Sequence, residues 1–404
     1  QAGATISRVL AGPGSGKTRR LKQELQAQRA AGLPAASILG ITFTRCAADE
    51  LRERLSKDSA KEIPWIGTFH ALARRIQVEL KQLPDELNLD KLIPDANELL
   101  KKGMVPAWIR GLRFIGVDEA QDLDQSQVTF LNLMRGVSLH VEIFLVGDPD
   151  QAIYGFRKAS PDFLLYPDRF FTGPVRTIVL NDNYRSARDI VTVAQGILAG
   201  TAPLDSPCHT LKAVRPEAHP AIRELSSRTA EREATRIFQE VRTLMAVGVP
   251  AEEIAILVRT RAQLIPLKEE AVRWGITVRM PPVDDRGAGP RRIVTPAPDP
   301  EKGVSLLTIH QSKGSEWIVV ILAGCQAGLL PHTAAKTARE QEEERRLLYV
   351  AVTRAKQLIW FSRYGSRSTY LPPPAVPLTS QAASSPPVTP GPSLWSRVCR
   401  LFSR

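Results

Sequence analysis

Two short runs of the 404-residue chain carry residue types that handle phosphate. The first is Gly12-Pro13-Gly14-Ser15-Gly16-Lys17-Thr18, preceded by the apolar Val9-Leu10-Ala11 and followed by a helical pattern over Thr18–Ala30. A strand, a glycine-rich turn and a helix start, in that order, expose backbone N–H groups that can wrap a triphosphate. Lys17 would reach the β- and γ-phosphates, and the Thr18 hydroxyl would hold Mg²⁺. The second run is Asp118-Glu119-Ala120-Gln121-Asp122, at the end of the apolar Phe114–Val117. Adjacent carboxylates at the end of a buried strand repel one another unless a cation lies beside them. With Mg²⁺ present the two divide the work: Asp118 supports the metal, and Glu119 orients and deprotonates an attacking water. Together the two runs point to hydrolysis of ATP.

The elements that must position these residues are visible as short β-branched runs: Ile38–Thr42, Phe114–Val117, Ile143–Val146, Thr177–Leu180, Ile254–Val258, Ser305–Ile309, Ile318–Leu322 and Leu358–Phe361. Each is apolar on nearly every residue, which suits strands buried on both faces of a parallel sheet. Helical patterns such as Thr18–Ala30, Ala47–Leu55 and Thr229–Met245 alternate with them. The predicted fold class is therefore α/β, with two parallel sheets. Three stretches interrupt the alternation. Residues 77–108 read as helical and polar, Pro281–Pro300 as a loop, and Leu371–Ser393, with eight prolines, as an extended linker.

Seven segments, in order, resemble the motifs of UvrD/Rep-type superfamily 1 DNA helicases. Ile38–Leu55 (ILGITFTRCAADELRERL) is similar to that family's TFTnkAA segment, and Gly67-Thr68-Phe69-His70 to its GTFH. Val117–Asp122 resembles VDEaQD, and Val146–Arg157 (VGDPDQAIYGFR) resembles GDxxQsIYxfRgA. Leu180–Ser186 (LNDNYRS), Thr308–Trp317 (TIHQSKGSEW) and Glu342–Lys356 (EEERRLLYVAVTRAK) resemble LxxNYRS, TxHxsKGLEW and EEERRLxYVaxTRA. The resemblance implies two RecA-like domains with ATP in the cleft between them, and a 3′–5′ single-stranded DNA translocase and helicase. It implies that Gln151 senses the γ-phosphate and that Arg185 and Arg354 reach the transferring phosphoryl group. Tyr184 would stack on adenine and Glu316 would bond the ribose. Phe43, Tyr154 and Phe156 would stack on bases, while Thr44, His70, Arg157 and His310 would contact the backbone or line the track. Glu342 and Arg346 read as an i,i+4 surface salt bridge.

The family's glutamine motif, expected well upstream of the phosphate loop, has no room here, so Gln1 is either its remnant or the chain is trimmed. Ser315 stands where Leu is usual, and Phe156 where Trp is common. Little chain lies between motifs, which predicts a compact motor of low processivity. The expected layout is a first domain over 1–168, with a reduced helical insertion at about 77–108, and a second over 169–370, with a loop-rich insertion at about 275–303. A Pro-rich linker at 371–392 and a basic amphipathic tail at 393–404 follow; the tail is either frayed or a helix ordered on a protein partner's groove, an anionic membrane or nucleic acid. Within 357–370 a β-hairpin is expected, with Tyr364 or Tyr370 as a strand-separation wedge.

Composition agrees with this reading. Lys and Arg number 54 against 42 Asp and Glu, a formal charge of +12 that favours an acidic partner: single-stranded DNA and tailed duplexes. The four cysteines are far apart with no CxxC pair, which argues against a disulfide framework or zinc site. The longest apolar stretch, Trp317–Cys325, is about half of the ~20 residues that cross a bilayer, and no signal peptide opens the chain. A cytoplasmic protein of bacterial, phage or plasmid type is expected. A DNA-binding scaffold without activity would have lost its catalytic positions. A small-molecule kinase would lack the second set of motifs.

Overall fold

The computed structural model describes residues 4–57, 62–83, 88–138, 140–199, 210–215, 221–280 and 302–373. The expected linker and tail therefore lie outside the described residues except for 371–373, as does most of the 275–303 segment. The chain divides into two compact units, Gln1–Tyr184 with Ala202–Lys212, and Arg185–Thr201 with Ala213–Arg404.

In the first unit, β1 (Ile6–Ala11), β2 (Ile38–Thr42), β3 (Trp65–Thr68), β4 (Phe114–Val117), β5 (Glu142–Gly147) and β6 (Val175–Leu180) form one sheet in the order β3-β2-β4-β5-β1-β6. All its pairings are parallel. Alternate residues of each central strand feed two separate cores. Leu39, Ile41, Ile115, Val117, Ile143 and Leu145 pack with α3 (Phe69–Glu79), α4 (Leu89–Lys101) and α6 (Gln125–Val137). Ile38, Phe114, Phe144 and Val146 face α1 (Lys17–Ala30) and α2 (Arg45–Lys57). Covering both faces explains why β2 and β4 are buried at every residue. Two short helices, α5 (Ala107–Arg110) and α7 (Asp162–Leu165), complete the unit. The stretch read as a polar insertion is helical in α4 and α5, but α4 turns Leu92, Ile93, Ala96 and Leu100 into the first core.

Two expectations change here. The strand over Thr177–Leu180 was expected beyond a break at 168/169, yet β6 pairs with β1 and so belongs to the first sheet. It is also not buried on both faces: Val175 and Val179 are exposed, and Ile178 and Leu180 are only partly buried. Two-residue strands β7 (Asp182–Asn183) and β8 (Lys212–Ala213) follow and pair with each other.

The second unit repeats the architecture. Its strands β9 (Ile222–Ser226), β10 (Ile254–Val258), β11 (Val278–Arg279), β12 (Val304–Thr308), β13 (Trp317–Leu322) and β14 (Ala355–Arg363) lie in the order β11-β12-β10-β13-β14-β9, all parallel. α9 (Ala230–Ala246) and α10 (Leu264–Arg273) cover one face, over Ile254, Ile256, Val319, Ile321 and Trp360. α8 (Arg188–Leu198) and α11 (Ala338–Val352) pack together and against β14. The segment 357–370 is not a hairpin. β14 runs parallel to both β13 and β9, and Tyr370 is buried under the Arg345 guanidinium, 4.1 Å from its ring centroid. A strand already paired on both sides has no free edge for a return strand, so the wedge expectation fails for Tyr370.

Candidate nucleotide and nucleic-acid site

In a parallel sheet the strand ends that carry loops of one kind lie along one edge, and ligands bind there. The phosphate loop follows β1, the carboxylate pair follows β4, and Asp148 to Gln151 follow β5. These are adjacent or next-but-one strands, so the order β4-β5-β1 brings all three together.

The loop Gly12–Gly16 turns through left-handed backbone at Gly14 (φ 67°) and Gly16 (φ 92°), conformations that only glycine adopts without cost. Ser15 Oγ donates to the Gly12 carbonyl at 2.7 Å, and Lys17 Nζ lies 3.4 Å from the carbonyls of Ala11 and Gly12. Lys17 and Thr18 open α1, whose first N–H groups have no carbonyl partner within the helix. Thr18 Oγ1 donates to Asp118 Oδ2 at 3.1 Å. That hydroxyl and carboxylate are an oxygen donor set suited to Mg²⁺. Burial, together with the adjacent Glu119 charge, pushes the Asp118 carboxyl up to about 6, as expected of a carboxylate pair that wants a cation. Glu119 itself has φ 50°, an uncommon conformation for a residue with a Cβ.

Gln151 is buried, and its Nε2 donates to Asp148 Oδ2 at 2.7 Å. Two buried residues not singled out from the sequence, Gln121 and Asp148, connect it to Glu119. Gln121 Nε2 donates to Glu119 Oε2 at 2.5 Å, and the Asp148 N–H donates to Gln121 Oε1 at 3.0 Å. A third residue, given by the LxxNYRS motif but assigned no role from the sequence, is Asn183. Its Nδ2 donates to the Pro13 carbonyl at 2.7 Å, and the Tyr184 N–H donates to the Gly14 carbonyl at 3.0 Å. Asn183 and Tyr184 thus brace the phosphate loop. Tyr184 is exposed and lines a cavity of about 530 Å³ with Ser15, Gly16, Arg19, Arg20 and Asp182, a volume suited to a nucleoside.

The residues expected on a nucleic-acid track fall into separate groups. Phe43 and Thr44 follow β2 and His70 sits in the first turn of α3, whose start is capped by Thr68 Oγ1 accepting from the Ala71 N–H. β3 lies four strand spacings from β1, about 19 Å, so this group sits well away from the phosphate loop. Phe43 is half-buried, edge-to-face on Phe69 at 6.1 Å, so one side of it serves the core. Tyr154, Phe156 and Arg157 form a second group. The two rings are 6.0 Å apart and the guanidinium lies 5.3 and 5.5 Å from them, while Phe156 is 65% exposed, too much for a core residue. His310 belongs to the second unit, half-buried in a short turn after β12.

Within the second unit the structure brings together Arg185, Glu316, Arg354 and Lys356. Arg185 Nε pairs with Glu316 Oε2 at 2.5 Å, and Lys356 Nζ lies 3.4 Å from the other Glu316 oxygen. Arg354 is buried, donating to the carbonyls of Val350 (3.0 Å) and Ser315 (3.3 Å). Glu342 and Arg346 do approach, at 3.8 Å, but not as a surface bridge. Arg346 is buried. Among the described residues no group of three His, Cys, Asp or Glu could hold a metal, and no helix is long and apolar enough to cross a membrane.

Two parallel α/β units, one with a phosphate loop joined to an acidic strand end, define a P-loop NTPase of the RecA-like kind. Residues 1–157 match the model of an AAA domain, and residues 178–281 and 297–366 match that of the UvrD-like helicase C-terminal domain. The chain is 27% identical over 275 residues to a probable DNA helicase of Mycoplasma pneumoniae, with 67% of this chain and 47% of that protein covered. It is 28% identical over 337 residues to the ATP-dependent DNA helicase UvrD2 of Mycobacterium tuberculosis (62% and 47% covered), and 25% identical over 365 residues to DNA helicase II of Haemophilus influenzae (67% and 49%). These matches support a UvrD-type superfamily 1 helicase. The chain spans about half the length of these relatives.

Proposed function

We propose that this chain is the motor core of an ATP-dependent DNA helicase that moves 3′ to 5′ along single-stranded DNA and opens duplexes bearing a single-stranded tail. The observation that carries the reading is the hydrogen bond from Thr18 to the buried Asp118, beside Lys17 and the phosphate loop. In this reading Gly12, Pro13, Gly14, Ser15 and Gly16 wrap the triphosphate, and Lys17 draws off its charge. Thr18 and Asp118 hold Mg²⁺, which when bound neutralises phosphate oxygens and polarises the bond to be broken. Glu119 takes the proton of the attacking water, and Gln151 senses the γ-phosphate. Arg185 and Arg354 stabilise charge on the transferring group, an effect worth roughly 10³–10⁵ in rate in related chemistry. Tyr184 stacks on the adenine. Glu316, which pairs with Arg185 and Lys356, bonds the ribose through its remaining acceptor sites.

DNA is taken by Phe43, Thr44, His70, Tyr154, Phe156, Arg157 and His310, with Tyr154 and Phe156 as the main stacking platform, since rings accept every base. The first unit is the phosphate-loop domain and the second the NYRS-to-TRA domain, and the cytoplasm is the proposed location. The test is ATP hydrolysis with and without single-stranded DNA. Strong stimulation that disappears in Lys17→Ala supports the reading. Hydrolysis indifferent to DNA would argue instead for a nucleotide-processing enzyme.

A further inference from the structure

We infer that Gln121 is a positioning residue that locks the general base Glu119 and the phosphate sensor Gln151 into one hydrogen-bonded unit. The inference rests on the roles proposed above for those two residues. Its starting point is that the Gln121 side chain is fully buried and its amide has one orientation only. The Asp148 N–H donates to Oε1 at 3.0 Å, and a backbone donor cannot be exchanged for an acceptor. Nε2 must then face the other way, where it donates to Glu119 Oε2 at 2.5 Å. A carboxylate held through one oxygen by a fixed donor loses the freedom to rotate, and Glu119 already stands on a constrained left-handed backbone.

The other end of the chain of bonds is equally fixed. Asp148 is buried, accepts from Gln151 Nε2 at 2.7 Å through Oδ2, and accepts from the Asp150 N–H at 3.1 Å through Oδ1. Glu119, Gln121, Asp148 and Gln151 are thus linked without a gap, and a displacement of the Gln151 amide reaches Glu119 through two intermediates. The fold makes space for the link at Gly147. A Cβ there would run into the Gln121 amide oxygen and lie 3.1 Å from the Ala120 backbone nitrogen. The Leu164 side chain, 2.7 Å from the same point, closes the other side, so the glycine lets the loops after β4 and β5 approach around the Gln121 amide.

The test is steady-state DNA-stimulated ATP hydrolysis by Gln121→Glu and Gln121→Met, alongside binding of a non-hydrolysable ATP analogue. Gln121→Glu keeps the acceptor for the Asp148 N–H and replaces the donor to Glu119 by a second carboxylate. Gln121→Met keeps the length without adding charge, which guards against a folding defect in the first. The expected result is a kcat lowered about 100-fold in both, with KM and analogue affinity within about threefold of wild type, as for a base mispositioned by a fraction of an ångström. In a Glu119→Gln background, Gln121→Met should lower the residual single-turnover rate no further, because Gln121 acts through Glu119. A kcat within twofold of wild type would overturn the inference. So would kcat and analogue affinity falling together, which marks a structural role. If Glu119→Gln alone turns over normally, it is the assignment of the base that fails.

Discussion

Asn183→Ala is the perturbation whose size the structure sets most directly. The Asn183 side chain is buried and donates to the Pro13 carbonyl at 2.7 Å, across 170 residues of sequence. Truncation deprives the phosphate loop of that donor at the point where the chain turns toward Gly14. Leaving a buried polar group without its partner costs about 1–3 kcal/mol. If the bond holds the loop in its binding shape, that energy is drawn from nucleotide affinity, a weakening of roughly 5- to 150-fold. The neighbouring Tyr184 N–H bond to the Gly14 carbonyl survives the substitution, since it is made by backbone, so the loop should loosen and not collapse. The assay is calorimetric or fluorescent titration of ATP analogue, with a thermal melt of the same protein free of nucleotide. Affinity within twofold of wild type, combined with a lowered melting midpoint, would refute the reasoning: the bond would then serve the fold and not the loop.

Lys17→Ala and Glu119→Gln should each abolish turnover while the protein stays folded, and Glu119→Gln should retain nucleotide, because it removes the base and leaves the phosphate cradle; binding and hydrolysis measured side by side decide this. Truncating Tyr154 and Phe156 to Ala should cost about 1–3 kcal/mol of DNA affinity each, equally on mixed and homopolymeric strands, with basal ATP hydrolysis little changed; unaltered affinity would return both rings to the core. Asp118 supplies a pH dependence. Its carboxyl is raised from 3.8 to about 6 in the folded protein, so its contribution is complete below its ordinary range and is lost as pH rises through about 6. Relative to Asp118→Asn, the nucleotide- and metal-free protein should therefore lose melting temperature from about pH 4 to about pH 7, and Mg²⁺-nucleotide should stabilise wild type more at the upper end. An equal pH response in both proteins would remove Asp118 from this role.

The central strands were legible in the sequence because burial on both faces leaves an uninterrupted apolar run. β2, β4 and β10 begin and end at the expected residues. Edge strands were not. β3 (Trp65–Thr68) is largely buried but reads Trp-Ile-Gly-Thr, and β9 (Ile222–Ser226) carries Arg223 and Glu224, so neither shows an uninterrupted apolar run. β6 does carry an apolar run, and its place at the sheet edge depends on strand order, which local pattern does not encode. The phosphate loop and the acidic strand end were recognisable because their chemistry is local in sequence. Gln121, Asp148 and Asn183 were harder. They lay inside recognised motifs, but a motif gives residue types in order, and the donor–acceptor pairs joining Gln121 to Asp148 or Asn183 to Pro13 appear only once separate strand ends lie side by side. The 357–370 segment failed for the opposite reason. Its Gly365 does make a turn, with its N–H donating to Gln326 Oε1 at 2.9 Å, but the turn closes on another loop and not on a return strand.

The central claim, an ATP-driven motor running 3′ to 5′ on one DNA strand, is tested most directly by strand separation. Duplexes of equal length bearing only a 3′ tail, only a 5′ tail or no tail are incubated with the chain, Mg²⁺ and ATP, and released strand is measured against time. Release is expected from the 3′-tailed duplex alone, over short lengths, and none with Lys17→Ala. Equal release from 5′-tailed or blunt duplexes, or release without ATP, would contradict that claim.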